Sequence, residues 1–122
     1  MTNKNANPYT SLNRIFHEPG RLSIMSALCG SENGMTFNEL KSACFLTDGN
    51  LNRHLKTLEE ARAVRIRKTH PVGRPQTVVR ITDVGREGFI EYLKTLEGIL
   101  RRAAEAVAEE PAPSLAGLVN AR

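Results

Sequence analysis

Thr47-Asp48-Gly49-Asn50-Leu51-Asn52-Arg53-His54-Leu55-Lys56-Thr57-Leu58-Glu59-Glu60-Ala61 reads as a helix with two unlike faces. Leu51, Leu55 and Leu58 recur at i, i+4 and i+7 and form one apolar stripe. At about 100° per residue, Gly49, Asn52, Arg53 and Lys56 project from the other side. Thr47 suits the N-cap, where its hydroxyl accepts from an unpaired amide of the first turn. The outward groups are amides and cations near the helix N-terminus. Asn can make a two-point contact to adenine and Arg to guanine in the DNA major groove. The competing reading is the solvated surface of a core helix, and the flanking sequence decides between them.

Upstream, Thr36-Phe37-Asn38-Glu39 has the Thr-x-x-Glu spacing of a capping box. It predicts a short helix over Phe37 to Ala43, with Phe37, Leu40 and Cys44 inward. Phe45-Leu46 then turns the chain into the Thr47 helix. Two short helices joined by a tight turn, the second with the polar outer face, make a helix-turn-helix pattern. Before it, Ser11 is placed to cap a short helix from Leu12 to His17, which Glu18-Pro19-Gly20 breaks. Arg21 to Gly30 is a further helix, apolar around most of its circumference, with Gly30 at a left-handed terminus.

Downstream, Val64-Arg65-Ile66-Arg67-Lys68-Thr69 alternates apolar and basic residues, as a half-buried strand does. Thr77 to Thr82 is its expected partner, with Val79 and Ile81 inward and Arg80 outward. His70 to Gln76, with two prolines and a glycine, is too long for a two-residue turn. A basic hairpin directly after a DNA-reading helix is a wing. Arg74, between Gly73 and Pro75, is held extended and suits a narrow minor groove or a phosphate. Arg65, Arg67, Lys68 and Arg80 on the hairpin flanks suit phosphate contacts.

Thr82-Asp83 caps a last helix that the pattern carries to about Glu109. Phe89, Leu93, Leu96, Leu100, Ala103 and Val107 step by alternating fours and threes, the spacing of a helix-pairing seam, and Tyr92 and Ile99 widen it. The organisation expected is a loose arm over 1–10, a winged helix-turn-helix over 11–82, a dimerisation helix over 83–109 and a frayed tail over 110–122. The fold class is mostly α with a small β-hairpin wing.

The 122 residues allow one domain with its own core, and only 5% are aromatic, so the core is aliphatic. No long apolar run predicts a membrane span, and the first residues have no secretory h-region, so a cytoplasmic location is expected. Cys29 and Cys44 are too few for a disulfide framework, and both are expected as buried thiols in the core. No ligand spacing predicts a metal, and no cofactor is expected. Net charge is +4, but residues 1–82 hold 12 Lys and Arg against 6 Asp and Glu, while 83–122 hold 5 against 7. The basic excess is an electrostatic footprint for a polyanion and lacks the aromatic anchors of a membrane helix.

Taken in order, His17-Glu18-Pro19-Gly20-Arg21-Leu22, Thr36 to Leu40, Leu46 to Glu59, Gly73-Arg74-Pro75 and Thr82-Asp83-Val84-Gly85-Arg86 resemble the small winged-helix transcriptional regulators of the MarR/ArsR-like group. The resemblance covers roughly residues 11–100 and implies a dimeric repressor or activator whose second helix-turn-helix helix enters the major groove. It carries Asn50, Asn52, Arg53 and Lys56 onto DNA and makes Arg74 the wing-tip residue. Thr47 and Gly49, at the same helix end, complete the DNA-facing set. Relatives usually have Gly where this chain has Arg62, so a different helix ending is expected there. The paired thiols of metal-sensing relatives are missing around Cys44.

Three function classes compete. A sequence-specific homodimeric regulator, read as a repressor on a palindromic operator, accounts for the polar helix face, the basic wing and the seam together. A winged-helix protein-interaction module accounts for the fold but not for the localised charge. An enzyme accounts for nothing specific: His17-Glu18 has no nucleophile beside it, and no catalytic residue is assigned. His54 flanks the leucine stripe as a packing residue. A small-molecule effector has room but no polar constellation pointing to it.

Overall fold

The computed structural model describes residues 13–108. Helix α1 spans Pro19–Cys29, β1 Met35–Thr36, α2 Phe37–Cys44, α3 Asp48–Glu60, β2 Val64–Thr69, β3 Gln76–Ile81 and α4 Asp83–Ala108. Residues 13–91 form one compact unit, and α4 from Tyr92 onward belongs to a second.

Capping chemistry sets most of the boundaries. Thr36 Oγ1 accepts from Glu39 N–H at 3.1 Å while the Glu39 carboxylate accepts from Thr36 N–H at 2.9 Å, so the capping box forms as read. Thr47 Oγ1 accepts from Asn50 N–H at 3.2 Å and opens α3. Thr82 Oγ1 accepts from Gly85 N–H at 2.9 Å and opens α4.

Helix α1 departs from expectation at both ends. Glu18-Pro19-Gly20 starts it instead of breaking a preceding helix. The Glu18 carboxylate accepts from Arg21 N–H at 2.9 Å, and Pro19 sits in the first turn, where no amide partner is lost. Residues 14–16 are a single turn, not a helix; Ser11 and Leu12 lie outside the described residues. Gly30 caps α1 at φ −88°, not in the left-handed region.

At the end of α3 the expectation also fails, in the opposite direction. Arg62 adopts φ 63° although it is not glycine. Ala63 N–H reaches back to Leu58 C=O at 2.9 Å, the long bond of a Schellman ending. A left-handed L-residue costs about 1–2 kcal/mol. Contacts from the far end of β3 offset it: Thr82 Oγ1 donates to Arg62 C=O at 2.6 Å, and Thr82 N–H donates to Ala63 C=O at 3.1 Å.

The sheet has three strands in the order β1-β3-β2, all antiparallel. Strand β1 was not foreseen, because two residues carry no periodicity and the partner lies more than forty positions away, with Met35 opposite Val79. Val64 and Val79 are buried on the sheet's inner face with Leu51, Leu55 and Leu58 of α3, Leu40 of α2, and Ile24, Met25 and Leu28 of α1. Phe16 and Phe89 meet edge to face, centroids 5.3 Å apart. Gly85 lies so close to the chain that a Cβ there would stand 2.0 Å from Ala63 O, which fixes the first turn of α4 against the end of α3. Cys29 and Cys44 are half-buried, which corrects their placement in the core.

Candidate nucleic-acid interface

Three residues anchor α3 to α1. His54 is 3% exposed. Its Nδ1 lies 3.2 Å from Arg21 Nη1, and a guanidinium can only donate, so Nδ1 accepts and the ring proton sits on Nε2. Nε2 stands 3.6 Å from Glu18 Oε1, longer than a hydrogen bond, so the carboxylate would attract the ring's charge only once the ring is protonated. Arg21 is itself held by Ile15 C=O, 2.7 Å from its Nε. Burial lowers the His54 pKa, with Glu18 opposing and the charges of Arg53 and Arg21 assisting. For Glu18, burial acts upward, but the bond from Arg21 N–H and the charges of His54 and Arg21 outweigh it and leave its pKa lowered. Gly20 permits this approach, since a Cβ would lie 2.6 Å from His54 Nε2. The packing role read for His54 is thus correct, and α3 is held by a polar clamp as well as by leucines.

With its inner face so fixed, α3 turns Thr47, Gly49, Asn50, Asn52, Arg53 and Lys56 to solvent. Arg53 Nη2 donates to Asn50 Oδ1 at 3.2 Å, so the guanidinium is tethered one turn back toward the helix N-terminus. Lys41 Nζ pairs with Asp48 Oδ1 at 2.8 Å. That contact was not anticipated. It neutralises the single acidic group in the first turn of α3, where a bare carboxylate would repel a phosphate.

The hairpin presents Arg65, Arg67, Lys68, Arg74 and Arg80 to solvent. Arg65 stands directly opposite Arg80, and Arg67 opposite Val78, so three arginines share the outer face of the sheet. They line a depression of about 250 Å³ with Ile81, Thr82 and Asp83. At the tip, Pro71–Gly73 form a 3-10 turn in which Val72 and Gly73 take φ 52° and 75°. Arg74 leaves the turn extended, at φ −100° and ψ 133°. It borders a cleft of about 410 Å³ shared with Thr36, Phe37 and Asn38 at the start of α2. This junction of wing and α2 was missed, because residues some forty positions apart carry no joint signal in one sequence.

Of the residues read as a seam, Phe89, Tyr92 and Ile99 are buried and Leu96 and Val107 half-buried, while Leu93, Leu100 and Ala103 are exposed. Phe89 is already engaged by Phe16. Among the described residues no group of His, Cys, Asp and Glu could hold a metal ion, and no helix is long and apolar enough to cross a membrane.

Residues 21–100 match the model of a family described as a winged helix DNA-binding domain. Over 80 residues the chain is 42% identical to an uncharacterised protein of Methanocaldococcus jannaschii, covering 66% of this chain and 86% of that one. Its fold superposes on the structure of a transcriptional regulator homologue from Pyrococcus horikoshii with TM-score 0.73 and 31% identity, over 79% of this chain and 96% of the other. It also superposes, with TM-score 0.61 and 18% identity, on the transcriptional repressor CouR bound to a 23-mer DNA duplex, over 83% of this chain and 72% of that one. The last likeness is one of fold alone.

Proposed function

We propose, from the premise that this chain belongs to the winged helix DNA-binding domain family, that it is a sequence-specific transcriptional repressor acting as a homodimer on a palindromic operator. In this reading α3, with its cap and last turn over residues 47–61, lies in the major groove, and the wing over residues 64–82 lies on the backbone and minor groove. Arg53 and Asn52 read base edges, Asn50 orients Arg53, and Lys56, Thr47 and Gly49 approach phosphates. Arg65, Arg67, Lys68 and Arg80 neutralise backbone charge, and Arg74 reaches the minor groove. The observation that carries it is that one compact unit holds both a tethered, exposed Arg53 on α3 and an outer sheet face of three exposed arginines. Like charges gathered on one face lower stability unless a polyanion meets them.

Homodimerisation is supported by the exposed Leu93 and Leu100 on α4. Repression is the simpler consequence of occupying an operator. The place of action in this reading is the cytoplasm. An affinity titration on duplex DNA at two salt concentrations tests the reading. Neutralising about 4–8 phosphates per dimer gives a log–log slope of about −4 to −7. A flat response would instead support a winged-helix module that binds protein.

A further inference from the structure

Neither stability nor packing accounts for Phe45. It caps α2 at φ 55° and ψ 44°, in the left-handed region, and its N–H donates to Lys41 C=O. Its side chain is 93% exposed, so the ring touches almost nothing of this chain. A glycine or asparagine would hold this turn with less strain and no wet aromatic surface. Phe45 nevertheless stands two residues before Thr47, the N-cap of α3, and next to the turn that the Lys41–Asp48 pair holds in place. Two residues of chain span about 7 Å at most. The N-terminal end of such a helix is the end that meets base edges, and the major groove is only about 12 Å wide.

We infer that Phe45 is a specificity-determining residue that packs its ring on the 5-methyl group of a thymine in each half-site. The inference rests on the DNA-binding reading above. Thymine is the base that places an apolar group on the floor of the major groove, and a Phe ring is a suitable partner for it. Water leaves both apolar surfaces on contact, whereas the amides and cations of α3 recognise only polar edges. The site therefore gains a preference that hydrogen bonding cannot supply. Fixing the ring in the turn rather than on the helix leaves the outward face of α3 free for Asn52 and Arg53.

The test begins with duplexes selected from a random-sequence pool by the wild-type protein. Each thymine of the selected half-site is replaced in turn by deoxyuridine, which removes only the methyl group. Affinities are measured for wild type, Phe45→Ala and Phe45→Asn; asparagine tolerates the left-handed backbone and so preserves the turn. At one thymine per half-site, deoxyuridine should weaken the wild type about fourfold, the value of one buried methyl. Both variants should bind the thymine duplex at least that much more weakly and show no further loss on the deoxyuridine duplex. Variants that match the wild type on every duplex, or that keep the same deoxyuridine sensitivity, overturn the inference while the salt-dependent DNA binding stands. Failure of the wild type to bind or select any duplex overturns the DNA-binding reading and this inference with it.

Discussion

Arg65 and Arg80 face each other across the β2–β3 ladder, two cations in one cross-strand pair. Among the described residues, Arg80 Nη2 makes one long contact, donating to Glu32 C=O at 3.4 Å. Opposed like charges cost a strand pair roughly 0.2–1 kcal/mol. Replacing Arg65 by Thr should therefore raise unfolding stability by up to about that amount, with the gain shrinking as salt screens the repulsion. The same variant should bind all duplexes more weakly, with the salt slope reduced by about one per site removed. Denaturant unfolding and DNA titration on one preparation separate the two effects. A variant that loses both stability and binding would mean that the arginine pair serves the fold.

Arg53 and Arg67 should separate reading from holding. Arg53, tethered to Asn50, is placed to meet a guanine edge, and Arg53→Ala should cost about 1–3 kcal/mol on the preferred site and relax choice at one position per half-site. Arg67, on the outer sheet face, should on truncation to Ala weaken specific and random DNA alike. Equal losses from both variants on both kinds of DNA would show that the bases are read elsewhere.

The clamp on α3 should make stability sensitive to mild acid. His54 is neutral in the fold and its pKa lies below the ordinary 6.5, chiefly through burial. An unfolded chain then binds a proton first as pH drops. The contribution is complete above about pH 6.5 and is lost as pH falls from there toward the folded pKa. Glu18, whose pKa is also lowered in the fold, contributes stability that is present above its ordinary 4.5 and is lost as pH falls through its folded value. Two successive declines are thus expected in thermal melts from pH 8 to 3. The His54→Gln variant should be less stable at pH 8 and lack the upper decline. An upper decline of undiminished size in that variant would assign it to another group.

Gly85→Ala should be among the most damaging single-methyl additions in the chain. The added Cβ would stand 2.0 Å from Ala63 O and 2.7 Å from Ala63 C, both backbone atoms that cannot rotate away. The cost is expected at or above the upper end of the 1–3 kcal/mol typical of overpacking. Gly49→Ala is the control, because nothing lies within 4 Å of its Cβ and an exposed helical Gly→Ala change should stabilise slightly. Equal melting temperatures for the two variants would contradict the close approach.

What sequence made legible follows from the range of each interaction. Thr36 with Glu39 and Thr47 with Asn50 are three-residue caps, so their spacing alone announced α2 and α3. The leucine stripe of α3 and the alternation of β2 are equally local. What escaped was long-range or dependent on tertiary support. Strand β1 exists only because β3 pairs with it, and Arg62 is left-handed because Thr82 binds the carbonyls of Arg62 and Ala63. The outward side chains of α3 could be named because exposure follows from helical phase. Phe45 could not, because its phase was that of a turn whose backbone sign no local pattern fixes.

Leu93→Glu combined with Leu100→Glu should separate the proposed dimer into monomers. Helix α4 runs from Asp83 to Ala108, about 39 Å at 1.5 Å per residue. Along it Leu93 is 41% exposed and Leu100 59%, seven positions apart and so on one face, with exposed Ala103 one further step along. Each large side chain buried fully is worth about 1.5–3 kcal/mol, so leaving both leucines wet forfeits roughly half of that for each. A second copy of α4 laid along this face recovers it, and Glu at both positions would instead bring like charges together. Phe89, held by Phe16, stays in place, so the variant should keep its helical circular dichroism. Sedimentation should report a monomer, and operator titration should retain weak, salt-sensitive binding while losing most specific affinity, because one recognition helix then replaces two set about 34 Å apart. A folded double variant that still sediments as a dimer would move the interface to another surface of the chain.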